Sequence, residues 1–250
     1  MEIFDASSEL KLLESLETIF GITSKDLDFV SEYVKKNDVY YVEALSYLKK
    51  DKVKRSFKSI ILHHFTNTLN ISMIENKGLL TLKEWLQTNE IRKFMISNNL
   101  EIDVEQESLV YRGVKVRECD ILKSNVFFRI KNGLNISAVF FKKDFYDKSN
   151  IYTGEEGRLI KAPEFIFELQ KLVDVNLIES WNNQKPKKYI ISFEADLDEI
   201  DYSQELIKED LLECSLEWLI TGRSFMCNEI QIKQSAKISF ERIKQIEEYK

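Results

Sequence analysis

Residues Leu62 to Leu80 read LHHFTNTLNISMIENKGLL. Together with Phe57, Ile60 and Ile61 just upstream, Leu62 and Phe65 form a short apolar run, the pattern of a buried strand. A helix-like stretch follows from Asn70 to about Lys77 and stops at Gly78, since glycine tolerates the backbone angles that end a helix. Upstream of residue 57 the spacing is helical throughout. The change of period at that point makes the fold α+β: a helical N-terminus, then mixed short strands and helices.

Working upstream, Leu10, Leu13, Leu16 and Phe20 recur at spacings of one helix face. Ser7 or Ser8 is the N-cap and Gly21 the stop. Thr23 and Ser24, with Asp26, open a second helix carrying Leu27, Val30 and Val34. Asn37-Asp38 caps a third, with Tyr41, Leu45 and Leu48. Three short helices in a row predict a small N-terminal helical module, residues 1–55, ahead of a larger domain, residues 56–250. The basic run Lys49 to Arg55, KKDKVKR, reads as a solvated helix end, with a phosphate-facing role as the alternative.

Working downstream, Leu82 to Ile96 is amphipathic. Leu109-Val110-Tyr111 and Val114-Lys115-Val116 flank Arg112-Gly113 as a hairpin with a two-residue loop. Val126 to Ile130, Ile136 to Phe141 and Tyr189 to Phe193 read as strands. Pro163 suits the first turn of a helix carrying Phe165, Phe167, Leu169 and Leu172. Ala195 to Thr221 is acidic, and its latter part reads as an amphipathic helix. Glu229 to Ile232 alternates with period 2, and Ile238-Ser239-Phe240 opens a last strand.

Composition removes several classes of function. The chain has 250 residues, 36 Lys and Arg against 42 Asp and Glu, and only 7 Gly and 2 Pro. No Gly-x-Gly and no Gly-Lys-Ser/Thr occurs, so neither the Rossmann fingerprint nor the P-loop is present. The two histidines are adjacent, and Cys119, Cys214 and Cys227 lack ligand spacing, so no metal site is expected. The first residues are acidic and no apolar run is long enough to span a bilayer. The expectation is a cytoplasmic protein with no membrane partner. A net charge of −6 gives no broad electrostatic footprint for nucleic acid.

Two polar residues stand inside apolar surroundings: His64 at the end of IILHHFT, and Glu229 in NEIQI. Either alone is ordinary, a packed histidine or a strand acid facing water. Their contexts resemble a known family. The strand, the pair His64 and Thr66 as His-x-Thr, and the helix ending at Asn76-Lys77-Gly78-Leu79 resemble the first motif of the ADP-ribosyltransferase fold, closest to DarT-like bacterial toxin and defence transferases. Asn228 to Ile246, NEIQIKQSAKISFERIKQI, is similar to the last motif of the poly-ADP-ribose-polymerase and diphtheria-toxin branch, with Glu229 on the catalytic glutamate. The two matches stand in the family's order.

The resemblance covers residues 57–250 and implies a split β-sheet core that grips NAD without a glycine-rich loop or a metal. It implies that Glu229 accepts a hydrogen bond from a ribose hydroxyl beside the developing cation, that His64 donates to a ribose hydroxyl, and that Thr66 assists. Ser137, on the strand Ile136 to Phe141, and Tyr146 or Tyr152 are the candidates for the nicotinamide side of the cleft. Cys227 stands where arginine-specific relatives carry Glu or Gln, which argues against an arginine acceptor. The implied activity is mono-ADP-ribosyl transfer to a protein or nucleic-acid acceptor, in a toxin or phage-defence role. The rival reading is a non-catalytic interaction or ligand-sensing protein on the same fold.

Overall fold

The computed structural model describes residues 2–47, 57–117, 126, 136–146, 157–222, 229–233 and 235–250. The expected boundary at 55/56, the basic run 49–55 and the strand 126–130 beyond Val126 lie outside these residues.

The chain is a mixture of helix and sheet. In chain order the N-terminal part contains β1 (Ile3–Phe4), α1 (Glu9–Ser15), a π-helical turn over Leu16–Phe20, α2 (Ser24–Asn37) and α3 (Tyr41–Ser46). Then come β2 (Ser59–Thr68), α4 (Ser72–Lys77), α5 (Leu82–Leu86) and α6 (Asn89–Ser97). The hairpin region holds β3 (Leu100–Asp103), β4 (Ser108–Tyr111) and β5 (Val114–Lys115), followed by β6 (Ile136–Val139). The remainder holds α7 (Arg158–Lys161), α8 (Glu164–Gln170), α9 (Leu177–Asn183), β7 (Lys187–Asp196), α10 (Gln204–Thr221), β8 (Glu229–Ile232) and β9 (Ile243–Glu248).

The main sheet has the order β8-β6-β2-β7-β9, with β1 paired in parallel to β2 through Ile3↔Ser59 and Phe4↔Ile60. β2 and β6 are antiparallel, with His63 opposite Val139. β3, β4 and β5 form a separate antiparallel sheet. The residues group into two compact units. The first is Met1–His63, Ala138–Lys143 and Ser192–Ile232; the second is His64–Ser137, Asp144–Ile191 and Lys233–Lys250.

In the first unit, Phe4, Phe20 and Phe57 meet as a triangle with ring centroids 5.5–6.1 Å apart. Each is almost fully buried, so each side chain contributes about 2–3 kcal/mol of burial. That packing explains β1, a two-residue strand that local sequence does not announce. Ser8 caps α1 by accepting from the Lys11 amide, and Gly21 ends the π-helical turn at φ +66°, as the spacing predicts. Thr23 and Asp26 form the predicted capping box of α2.

The third helix corrects the reading. Asp38 does not cap it; it closes α2 in the left-handed region, where short polar side chains are tolerated. The N-terminus of α3 is held instead by Glu213 of α10, whose carboxylate accepts from the Tyr41 and Val42 amides at 2.8 and 2.6 Å.

In the second unit, Trp181 is fully buried against Phe94, and Trp85 packs on both Trp181 and Phe165. The indole donates to Asn67 Oδ1 at 3.0 Å, and Asn67 Nδ2 reaches the Leu159 and Ile160 carbonyls. The buried Asn67 thereby ties β2 to α7 and α9. Three further expectations change. The stretch Leu82 to Ile96 is two helices, broken where Thr88 takes an extended N-cap conformation ahead of α6. The hairpin gains a third strand, β3. Ile238 makes only an isolated bridge, a 3-10 turn follows over Phe240–Arg242, and the last strand begins at Ile243.

Candidate functional site

β2 alternates side chains between its two faces, so its adjacent histidines part company. His63 is fully buried and its Nδ1 lies 2.9 Å from Ser192 Oγ on β7. His64 is half-buried on the other face, and Thr66, also half-buried, shares that face two residues on. The His64 Nδ1 sits 2.7 Å from the Ser137 carbonyl oxygen on β6. Burial pulls the His64 pKa below its ordinary value, and the carbonyl partner works against that.

The structure thus brings His64 and Ser137 together, through the serine's main chain. No spacing pattern in the sequence announces this contact, because a backbone carbonyl has no residue-type signature.

The first and last sequence motifs also meet. α4 ends at Gly78, whose φ is +83°, and the next residue, Leu79, pairs antiparallel with Ile238. The Leu79 amide donates to the Ile238 carbonyl at 2.9 Å. A side chain at Gly78 would overlap that carbonyl and the Ser239 backbone. Glycine is therefore required here for two reasons, backbone angle and close approach.

Tyr146 stands in an aromatic group. Its ring stacks on Tyr249 at 5.3 Å, and its hydroxyl donates to Glu247 on β9. Tyr249 in turn packs edge-on against Phe65 and donates to the Phe145 carbonyl. Phe65 leaves β2 on the face opposite His64. Burial first, and the Glu247 carboxylate second, raise the Tyr146 phenol well above its ordinary range. Tyr146 thus keeps its hydroxyl on Glu247, a partner that sequence reading missed. Tyr152 lies outside the described residues.

Glu229 opens β8 in the first unit and is exposed, accepting a hydrogen bond from Gln231 Nε2 at 2.8 Å. His64, Thr66, Ser137 and Tyr146 belong to the second unit. Residues 227 and 228, which precede Glu229 in the last motif, lie outside the described residues.

Among the described residues no group of three His, Cys, Asp or Glu side chains is placed to hold a metal ion, and no helix is long and apolar enough to cross a membrane. Compared with known proteins, the chain matches no family model, no curated sequence and no solved structure.

Proposed function

We propose that the protein is an NAD-dependent mono-ADP-ribosyltransferase that passes ADP-ribose to a macromolecular acceptor and releases nicotinamide. The observation that carries this reading is the Leu79–Ile238 bridge beside Gly78. The two stretches that resemble the family's first and last motifs are far apart in the chain, and an isolated bridge joins Leu79 of one to Ile238 of the other within one unit. A chance resemblance at two places gives no reason for that pairing or for a glycine at the contact.

The chemistry asks for few groups. The bond from the ribose anomeric carbon to the nicotinamide nitrogen breaks, and nicotinamide leaves with the electron pair. Positive charge then spreads over the ribose ring. A nucleophilic atom of the acceptor bonds to that carbon and gives up its proton to solvent. In this reading the Glu229 carboxylate accepts from a ribose hydroxyl and lies beside the developing cation, where a preorganised charge stabilises the transition state. His64 and Thr66 hold a second sugar contact from one strand face.

The test is nicotinamide release from NAD, alone and with cell lysate, by the wild-type protein and by Glu229→Ala. Release that depends on Glu229, with label transferred to protein or nucleic acid, supports the proposal and names the acceptor class. No NAD turnover with any lysate, or an unaffected variant, sinks it and favours a non-catalytic binding role.

A further inference from the structure

We infer that His64 meets its ligand with a bare Nε2, as a hydrogen-bond acceptor, and that Ser137 sets this polarity through its main-chain carbonyl. The inference deepens the proposed function and rests on it for the identity of the ligand. His64 Nδ1 lies 2.7 Å from the Ser137 carbonyl oxygen. A carbonyl oxygen can only accept, so the hydrogen must sit on Nδ1. A neutral imidazole has one N–H, and Nε2 is then left with a bare lone pair. The half-buried position of the ring disfavours the doubly protonated form.

This reverses the expectation that His64 donates to a sugar hydroxyl. A bare Nε2 takes a hydroxyl or an amide N–H. It turns away oxygens that bring only lone pairs, such as those of an ionised phosphate or carboxylate. On a dinucleotide it therefore selects a ribose hydroxyl and excludes the pyrophosphate from this position. Thr66 follows on the same face, about 7 Å along the strand at the usual rise per residue. Its hydroxyl can donate or accept, so the pair offers one acceptor and one adaptable group to a sugar. Ser137 is a positioning residue in this scheme: it acts on the ligand through the imidazole, and its own side chain is not required to touch it.

The tautomer is measurable directly, because the chain has two histidines and can be labelled with nitrogen-15 at both. His64→Gln assigns the signals by removing one set. At neutral pH, the expected spectrum shows a protonated Nδ1 and a bare Nε2 for His64, the bare nitrogen far downfield. Adding NAD moves the Nε2 signal upfield, as a nitrogen that has gained a hydrogen bond does, whereas inorganic pyrophosphate leaves it in place. A protonated Nε2 in the free protein overturns the inference. So does an Nε2 that ignores NAD while other signals report binding, or one that responds equally to pyrophosphate. A bare Nε2 in a protein that binds no NAD supports the tautomer and instead counts against the transferase reading, so the two failures are told apart.

Discussion

The carbonyl of Ile238 accepts the Leu79 amide at 2.9 Å, and the peptide that carries that amide begins at a residue with no side chain, Gly78. Both the positive φ of Gly78 and the space against Ile238 are used up. Gly113 offers a control, since its φ is +76° and nothing lies within 4 Å of where a Cβ would be. Gly113→Ala should cost about 1 kcal/mol, the backbone penalty alone. Gly78→Ala should cost about 1–3 kcal/mol more, the range for forcing atoms into a filled space. Chemical denaturation of the two variants side by side checks the difference. Equal losses would mean that the close approach to Ile238 has no energetic weight.

The Trp181–Asn67 bond separates packing from polarity in the second unit. Trp181→Phe keeps an aromatic ring but strands the Asn67 side-chain oxygen in a buried place, which should cost about 1–3 kcal/mol. Trp181→Ala adds a cavity and should lose about 3–5 kcal/mol. Urea midpoints at constant slope give both numbers, and a Phe variant as stable as wild type would remove the polar contribution.

Glu229 is exposed, so its replacement should leave stability within about 0.5 kcal/mol. Under the proposed function, Glu229→Gln should nevertheless lower nicotinamide release by roughly 10²–10³-fold, the loss seen when a transition-state partner is removed. Rates from NAD turnover and midpoints from thermal melting belong in the same experiment. A parallel fall in both would assign Glu229 a structural role.

Glu213 gives the first unit a pH signature. Burial raises its pKa above 4.5, and the Val42 and Tyr41 amides only partly oppose this. A raised folded-state pKa means that the folded protein holds the proton more tightly than the unfolded chain. Its contribution to stability is therefore full below about pH 4.5 and is lost as pH rises through the folded value. Glu213→Gln keeps an acceptor for α3 and cannot titrate. The stability of wild type minus that of the variant should fall with rising pH across this window and then level off. A difference that climbs instead would contradict the sign.

The features that could be read from sequence are those with local causes. Ser8, Gly21 and the Thr23–Asp26 box act within one helical turn, and Arg112-Gly113 turns a hairpin whose flanking residues alternate. The strand that carries His64 declared itself by its apolar run, and alternation alone separated His63 from His64. What escaped was set by partners remote in the chain. Phe4 makes a strand because Phe57 and Ile60 are there to receive it. The start of α3 is held by a glutamate from a helix near the far end, so no cap shows beside it. The Ser137 carbonyl and the Tyr146–Glu247 bond belong to the same class, contacts whose partners carry no spacing pattern.

The division of the chain into Met1–His63, Ala138–Lys143 and Ser192–Ile232 on one side, and the intervening and final segments on the other, bears on biosynthesis. Domains ordinarily finish folding in turn as the ribosome delivers them, N-terminal first. Here the first unit is incomplete until Ile232 has emerged, and the second until the stretch Lys233–Lys250 has followed. Neither half can therefore close on one uninterrupted stretch of chain, and no single cut in the gene yields one half intact.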